Sequence, residues 1–167
     1  MKWVPWIGLL LVTVVAAVAV MGWLLPVGHT ASRHAVLAAP PSEVYAAISD
    51  VERYPAWWSE ISRVEMLPSE TGRVRFREHI GTGPVVMEVQ DAQAPSRFVT
   101  RIADPDQPFG GTWTFDITRE GSGARLTITE RGEVYNPIFR FMARFVFGYT
   151  GTMESCLAAL AAKTAAR

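Results

Sequence analysis

The sequence predicts an α+β protein: a curved antiparallel β-sheet wrapped around a long C-terminal α-helix. Two short helices follow the first strand, and one apolar helix precedes everything else. Three observations carry this. Residues Trp3 to Leu25 hold no charged side chain. From Arg73 to Val134 apolar and polar residues alternate with period two. After Asn136-Pro137 the apolar period returns to that of a helix.

The charge-free run is long enough to cross a bilayer, since ~1.5 Å of rise per residue carries it ~34 Å against a hydrocarbon core of ~30 Å. A cleavable signal peptide is the competing reading. Its apolar region is usually ~7–15 residues and ends at a small-residue site. Here Ala17-Val18-Ala19 lies inside the run, which continues through Val20, Met21, Trp23, Leu24 and Leu25. This favours an uncleaved anchor. Trp3 and Trp6 at one end and Trp23 at the other suit the two headgroup levels. Pro5 falls at the helix start, and Pro26 and Gly28 end it. The chain divides into an anchor (1–26), a linker (27–32) and a domain (33–167). Lys2 and the terminal amine precede the run; Arg33, with His29 and His34, comes after it. The charge bias favours a cytoplasmic N-terminus and an extracytoplasmic domain in a single-pass membrane protein. A domain held at a lipid surface meets apolar molecules.

Sixteen Lys+Arg balance sixteen Asp+Glu, and one of the former is Lys2 ahead of the anchor, which leaves the domain at net −1. No basic stripe with interleaved aromatics is present, which argues against a nucleic-acid partner. No glycine-rich phosphate loop, nucleophile elbow or zinc-spaced Cys/His cluster appears, so no cofactor is implied. His29, His34 and His79 are scattered and read as linker or surface residues. Cys156 is the single cysteine, so the fold needs no internal disulfide. Nothing here sets the oligomeric state.

Within the domain, 33–39 reads as the first strand. Ala39-Pro40-Pro41-Ser42-Glu43 starts a helix running to about Ser49, with proline in the first turn and an early acid at the positive end of the dipole. Asp50 is placed to cap a second short helix through Tyr54-Pro55-Ala56-Trp57-Trp58. Then Val74, Phe76 and Ile80 share one strand face, and Arg73, Arg75, Arg77 and His79 the other. Strands at 85–89, 97–103, 111–119 and 124–134 come next, joined by turns that include Gly121-Ser122-Gly123. Asn136 caps, and Pro137 opens, a closing helix to about Ala166. Its stripe is Ile138, Met142, Phe145, Tyr149, Met153, Cys156 and Leu160, with a kink expected at Gly148 and Gly151.

This order and two segments resemble the SRPBCC superfamily, the START and birch-pollen-allergen-like helix-grip fold. The first segment is Ala39-Pro40-Pro41-Ser42-Glu43-Val44-Tyr45-Ala46-Ala47-Ile48-Ser49-Asp50, followed by Tyr54-Pro55-Ala56-Trp57-Trp58. It looks like the family's proline-started helix and Tyr-Pro-x-Trp turn. The second runs from Gly132 through Asn136-Pro137 to Phe147-Gly148 and resembles the closing helix of the polyketide cyclase/dehydrase-like branch. The resemblance covers 33–165. It implies a cavity for an apolar ligand between sheet and helix, and specifies no reaction.

Glu130 continues the inward phase of Leu126 and Ile128, and Glu78 that of Val74 and Phe76. Two carboxyls aimed into an apolar cleft would have raised pKa values and suit acid/base work. The simpler account pairs each with an arginine, such as Arg101 or Arg131, or leaves it at a wet strand end. Trp57, Trp58, Phe76, Met87, Trp113, Phe115, Ile128, Met142, Phe145 and Tyr149 are the candidate ligand-binding residues; aromatics at these spacings also serve as ordinary core. Arg73, Arg75 and Arg77 read as a solvated strand face. Segment 138–147 is apolar nearly all round. Its excess either packs on the short helices, the preferred reading, or dips into the bilayer with Arg140 and Arg144 at the headgroups.

Three functions fit. The first is a membrane-tethered domain that binds a hydrophobic small molecule (a lipid, quinone or polyketide-like compound) between sheet and C-terminal helix. The second is a cyclase/dehydratase-like enzyme using Glu130 and Glu78. The third is a non-catalytic scaffold whose core is filled by its own side chains.

Overall fold

The computed structural model describes residues 3–69 and 72–165. Helix α1 (Val4–Leu24) is the apolar run, and Trp6–Leu24 has a mean hydropathy of 2.5, long and apolar enough to cross a bilayer. Most of its described surface is uncovered by the rest of the chain. Leu25 precedes a proline and is extended (φ −73°, ψ 148°), which ends the helix.

Strand β1 comes at once (Gly28–Leu37), so residues 28–32, expected as linker, are strand. The reason is pairing: every residue of β1 from Gly28 to Leu37 has a partner on the last strand. Helix α2 (Pro41–Ser49) starts on proline as expected, with Glu43 in its first turn. The second short helix follows as expected, as a 3₁₀ helix (Val51–Ala56). The Asp50 side chain does not cap it; the carboxylate lies 3.3 Å from Arg53 Nε instead.

Six further strands complete an antiparallel sheet: β2 (Ile61–Leu67), β3 (Arg75–Ile80), β4 (Gly83–Gln93), β5 (Arg97–Ile102), β6 (Phe109–Glu120) and β7 (Gly123–Val134). The order is β1-β7-β6-β5-β4-β3-β2, so only β1 pairs out of sequence. Register shifts at Ile61/Arg63 and Val89/Asp91 bend the sheet. The Gly121-Ser122 turn uses φ 58° at Gly121, a conformation that suits glycine. Val74, expected inward, precedes β3 and is exposed. The arginine face carries surface ion pairs, with Arg77 3.1 Å from Glu65 and Arg73 3.4 Å from Glu88.

The closing segment differs from a continuous helix. It divides into α3 (Pro137–Met142), a π-helical turn (Ala143–Phe147) and α4 (Gly151–Ala165). Asn136 caps α3 as expected, accepting from the backbone N–H of Ile138 at 2.9 Å and of Phe139 at 3.2 Å. The break falls at Gly148, whose φ of 74° carries a steric cost for a side-chain-bearing residue. Of the expected stripe, Met153, Cys156 and Leu160 on α4 are fully buried, while Ile138 and Phe145 are exposed. Helix α4 therefore supplies the cover over Phe76, Phe115, Leu126 and Ile128 of the core.

Helix α3 packs on the end of α1, not on the short helices. A Cβ at Gly22 would overlap the Pro137 carbonyl oxygen, so glycine is what lets the two backbones touch. Arg140 locks the contact. Its guanidinium donates to the carbonyls of Gly22 (3.1 Å), Leu25 (2.9 Å), Val134 (2.9 Å) and Tyr135 (3.1 Å). The residue is 6% exposed, so the headgroup role considered for it is excluded in this arrangement. Carbonyls at a helix C-terminus lack partners within the helix and carry partial negative charge, which suits a cation there.

Candidate functional site

The arrangement leaves a cavity of about 1130 Å³ between the sheet and the broken closing segment. A fully plugged interior, the scaffold alternative, does not describe this molecule. Val85, Met87, Thr100, Ile102, Trp113 and Phe115 form the sheet wall. Tyr54, Trp58 and Ile61 form a second wall, and Met142, Ala143, Tyr149 and Thr152 a third. The exposed lining residues Ser59, Glu60, Thr82, Pro84, Phe139 and Phe147 mark the mouth. The volume lies just above the usual range of small-molecule sites, ~300–1,000 Å³.

The expected lining residues separate into three groups. Trp58, Met87, Trp113, Phe115, Met142 and Tyr149 line the cavity. Trp57, Phe76 and Ile128 stand outside that lining: Trp57 is stacked on Trp58 at 5.9 Å, and Phe76 and Ile128 are fully buried in the core. Phe145 points out to the surface, beside Phe141 at 4.9 Å. It leaves the expected phase because a π turn takes more residues than an α turn and rotates the side chains beyond it.

Trp58 shows how the wall is held. Its indole N–H donates to Ser155 Oγ of α4 at 3.2 Å, and its ring lies 6.2 Å from that of Trp113 on the sheet. One aromatic thus ties helix, turn and sheet together behind the cavity surface.

Both predicted carboxyls reach the cavity. Glu78 has no hydrogen-bond or ion-pair partner among the described residues. Burial alone pushes its pKa up to about 7. It stands close enough to Tyr54 and Cys156 to help raise both of their pKa values, in addition to burial. Tyr54 is not free to act, because its hydroxyl donates to the Ile48 carbonyl at 2.5 Å within the core.

Glu130 has a partner, and it is neither Arg101 nor Arg131. His29 Nε2 lies 3.3 Å from Glu130 Oε1. Burial raises the Glu130 pKa, while the His29 charge and the hydrogen bonds from His29 and Trp113 oppose the rise. His29 is the residue that the sequence reading missed. Its side chain is 12% exposed, and its ring stacks on Tyr149 at 3.7 Å. The signal was alternation: His29, Ala31, Ala35 and Leu37 share the less exposed face of β1. Gly132, directly opposite His29, makes the room. A Cβ there would overlap the imidazole and lie 2.7 Å from Glu130 Oε1. His29 also lines the cavity; its Nε2 faces the Glu130 carboxylate, and its Nδ1 is buried without a hydrogen-bond partner among the described residues. Chemically, His29 positions Glu130, and Glu130 presents an oxygen to the cavity.

Among the described residues no three His, Cys, Asp or Glu side chains converge as a metal site. The cavity offers two carboxyls of different character on an apolar wall: one alone and raised, one backed by an imidazole.

The fold is shared with solved structures. A START superfamily protein from Mycobacterium smegmatis aligns with TM-score 0.67 and 22% identity, over 83% of this chain and 98% of that one. The Zhui aromatase/cyclase from Streptomyces sp. R1128 aligns with TM-score 0.66 and 13% identity, over 84% and 95%. The protein TTHA0849 from Thermus thermophilus aligns with TM-score 0.64 and 26% identity, over 83% and 97%. No curated protein matches the chain. Residues 37–150 match the family described as polyketide cyclase / dehydrase and lipid transport, which supports a hydrophobic-ligand-binding or cyclase-like role. With its apolar cavity walled by sheet and closing helix, the chain belongs to this polyketide cyclase/dehydrase and lipid transport family.

Proposed function

We propose that this protein is a membrane-tethered binding protein for an apolar small molecule with a polar end: a lipid, a quinone or a polyketide-like compound. The observation that carries the reading is Glu78, an unpartnered carboxyl in the apolar wall of a 1130 Å³ cavity. A carboxyl with a pKa near 7 is partly neutral at physiological pH and then donates a hydrogen bond to a ligand oxygen. Apolar burial supplies most of the affinity, at ~25 cal/mol per Å². In this reading helix α1 is an uncleaved anchor, and the charge bias around it supports an extracytoplasmic domain.

A polarity-sensitive naphthalene fluorophore tests this on the full chain in detergent. The expected result is saturable enhancement at one probe per chain, lost in Thr100→Trp, which fills the cavity from the sheet. Equal, non-saturating signals from both proteins would overturn the reading.

The His29–Glu130 pair favours a second reading, a cyclase/dehydratase-like enzyme. There Glu130 would take a proton from a carbon next to a carbonyl, held in place by His29. Glu130→Gln would then retain probe binding and lose turnover of a poly-β-ketone substrate. Unchanged turnover would remove this reading and leave the first standing.

A further inference from the structure

The exposed apolar residues of α3 and the π turn are not scattered. Ile138, Phe139, Phe145, Val146 and Phe147 are all uncovered, and Phe147 is 74% exposed. At the end of α1, Trp23 is 72% exposed and Leu24 is similar. The two sets belong to elements in contact, because Pro137 rests on Gly22 and Arg140 bonds to the carbonyls of Gly22 and Leu25. Gly22 lies within the apolar span Trp6–Leu24. Whatever depth the end of α1 takes in a bilayer, the start of α3 takes with it. Phe139 and Phe147 also line the mouth of the cavity, and Arg144 on the π turn is exposed among these aromatics.

We infer that α3 and the π turn form a lip embedded in the bilayer leaflet that the C-terminal end of α1 reaches, so that the cavity opens onto lipid instead of water. The partner of this surface is the membrane itself. This rests on α1 being an uncleaved span. Contiguous apolar patches of this kind mark membrane or protein contacts, and continuity with α1 selects the membrane. Aromatic rings suit the interfacial layer, and Arg144 can bury its stem there while its guanidinium stays with the headgroup phosphates. Arg140 acts as the rivet that keeps lip and anchor at one level. An apolar ligand would then move between bilayer and cavity without crossing water.

Depth measurement tests this. Full-length Leu11→Cys, Phe147→Cys and Ser122→Cys carry nitroxide labels in nanodiscs of phosphatidylcholine and phosphatidylglycerol. The native Cys156 is buried and does not compete for label. Collision rates with oxygen and with a water-soluble nickel chelate are compared. Leu11 reports whether α1 spans, and Ser122, at the far hairpin, reports water. The lip predicts a deep Leu11 and a Phe147 label at least ten-fold less accessible to nickel than Ser122. A deep Leu11 with a Phe147 label as accessible as Ser122 overturns the lip and leaves the tether intact. A nickel-accessible Leu11 overturns the tether and the lip with it. As a second readout, Phe145→Asp with Val146→Asp, neither of them lining the cavity, should slow probe transfer from vesicles at least ten-fold. Its affinity for the probe in detergent should not change. Unaltered transfer would also overturn the lip.

Discussion

The guanidinium of Arg140 donates to the main-chain carbonyl of Leu25 at 2.9 Å, joining residues 115 positions apart. With its bonds to Gly22, Val134 and Tyr135, this one side chain satisfies carbonyls from the end of α1 and the end of β7 together. It fixes where the closing segment begins, and so where the cavity lies.

Arg140→Met should therefore destabilise the full chain by ~2–4 kcal/mol, because buried carbonyls lose a charged donor. Denaturant unfolding in detergent measures the loss. Hydrogen exchange should speed up at 134–140. Arg140→Lys should recover part of the stability, since an ammonium reaches fewer carbonyls than the planar fork. A variant as stable as the parent would show that these bonds carry nothing.

Glu78 sets a pH dependence of stability. Its folded pKa, about 7, lies above the ordinary carboxyl value of 4.5. Between those pH values the folded state binds more protons than the unfolded chain, so stability falls as pH rises through this window. At pH 8 the buried charge opposes folding, and Glu78→Gln should be more stable than the parent by on the order of 2 kcal/mol. At pH 4 the two should converge. Melting temperatures at both pH values check this; a constant difference would place Glu78 in water.

His29 and Glu130 are linked through the space above Gly132. Gly132→Ala should expel the imidazole, because the new methyl would overlap the ring. Without its partner Glu130 keeps the burial that raises its pKa and loses a group that lowers it. Its midpoint should move up in Gly132→Ala and in His29→Gln alike. Infrared titration of the carboxyl, assigned with Glu130→Gln, reads the midpoint. No upward movement in His29→Gln would show that the pair is only adjacent.

Gly148→Ala should cost ~1–2 kcal/mol, since alanine is strained in left-handed backbone that glycine adopts freely. An alanine that costs nothing would mean the break at this position is not needed.

Much of the fold was legible in the sequence. Strands β6 and β7 follow from alternation, with Phe115, Ile117, Leu126 and Ile128 buried on one face. Asn136-Pro137 announced a capped helix start, and the cap is present. Glu78 and Glu130 were placed inward by phase alone, and both reach the cavity. What period could not show was tertiary. His29 looked like linker because β1 runs back to Gly28 only through its pairing with β7. The π turn that rotates Phe145 outward has no residue signature. The docking of α3 on α1 depends on Gly22 and Arg140, residues far apart in sequence whose meeting no local pattern records.

The most direct measurement of the central claim is native mass spectrometry of the full chain released gently from nanodiscs, beside Thr100→Trp handled identically. The account predicts that the parent carries one apolar molecule of defined mass and that the plugged variant carries none. A parent that flies at its bare mass, under conditions where added lipid stays bound to α1, would contradict a cavity built to be occupied.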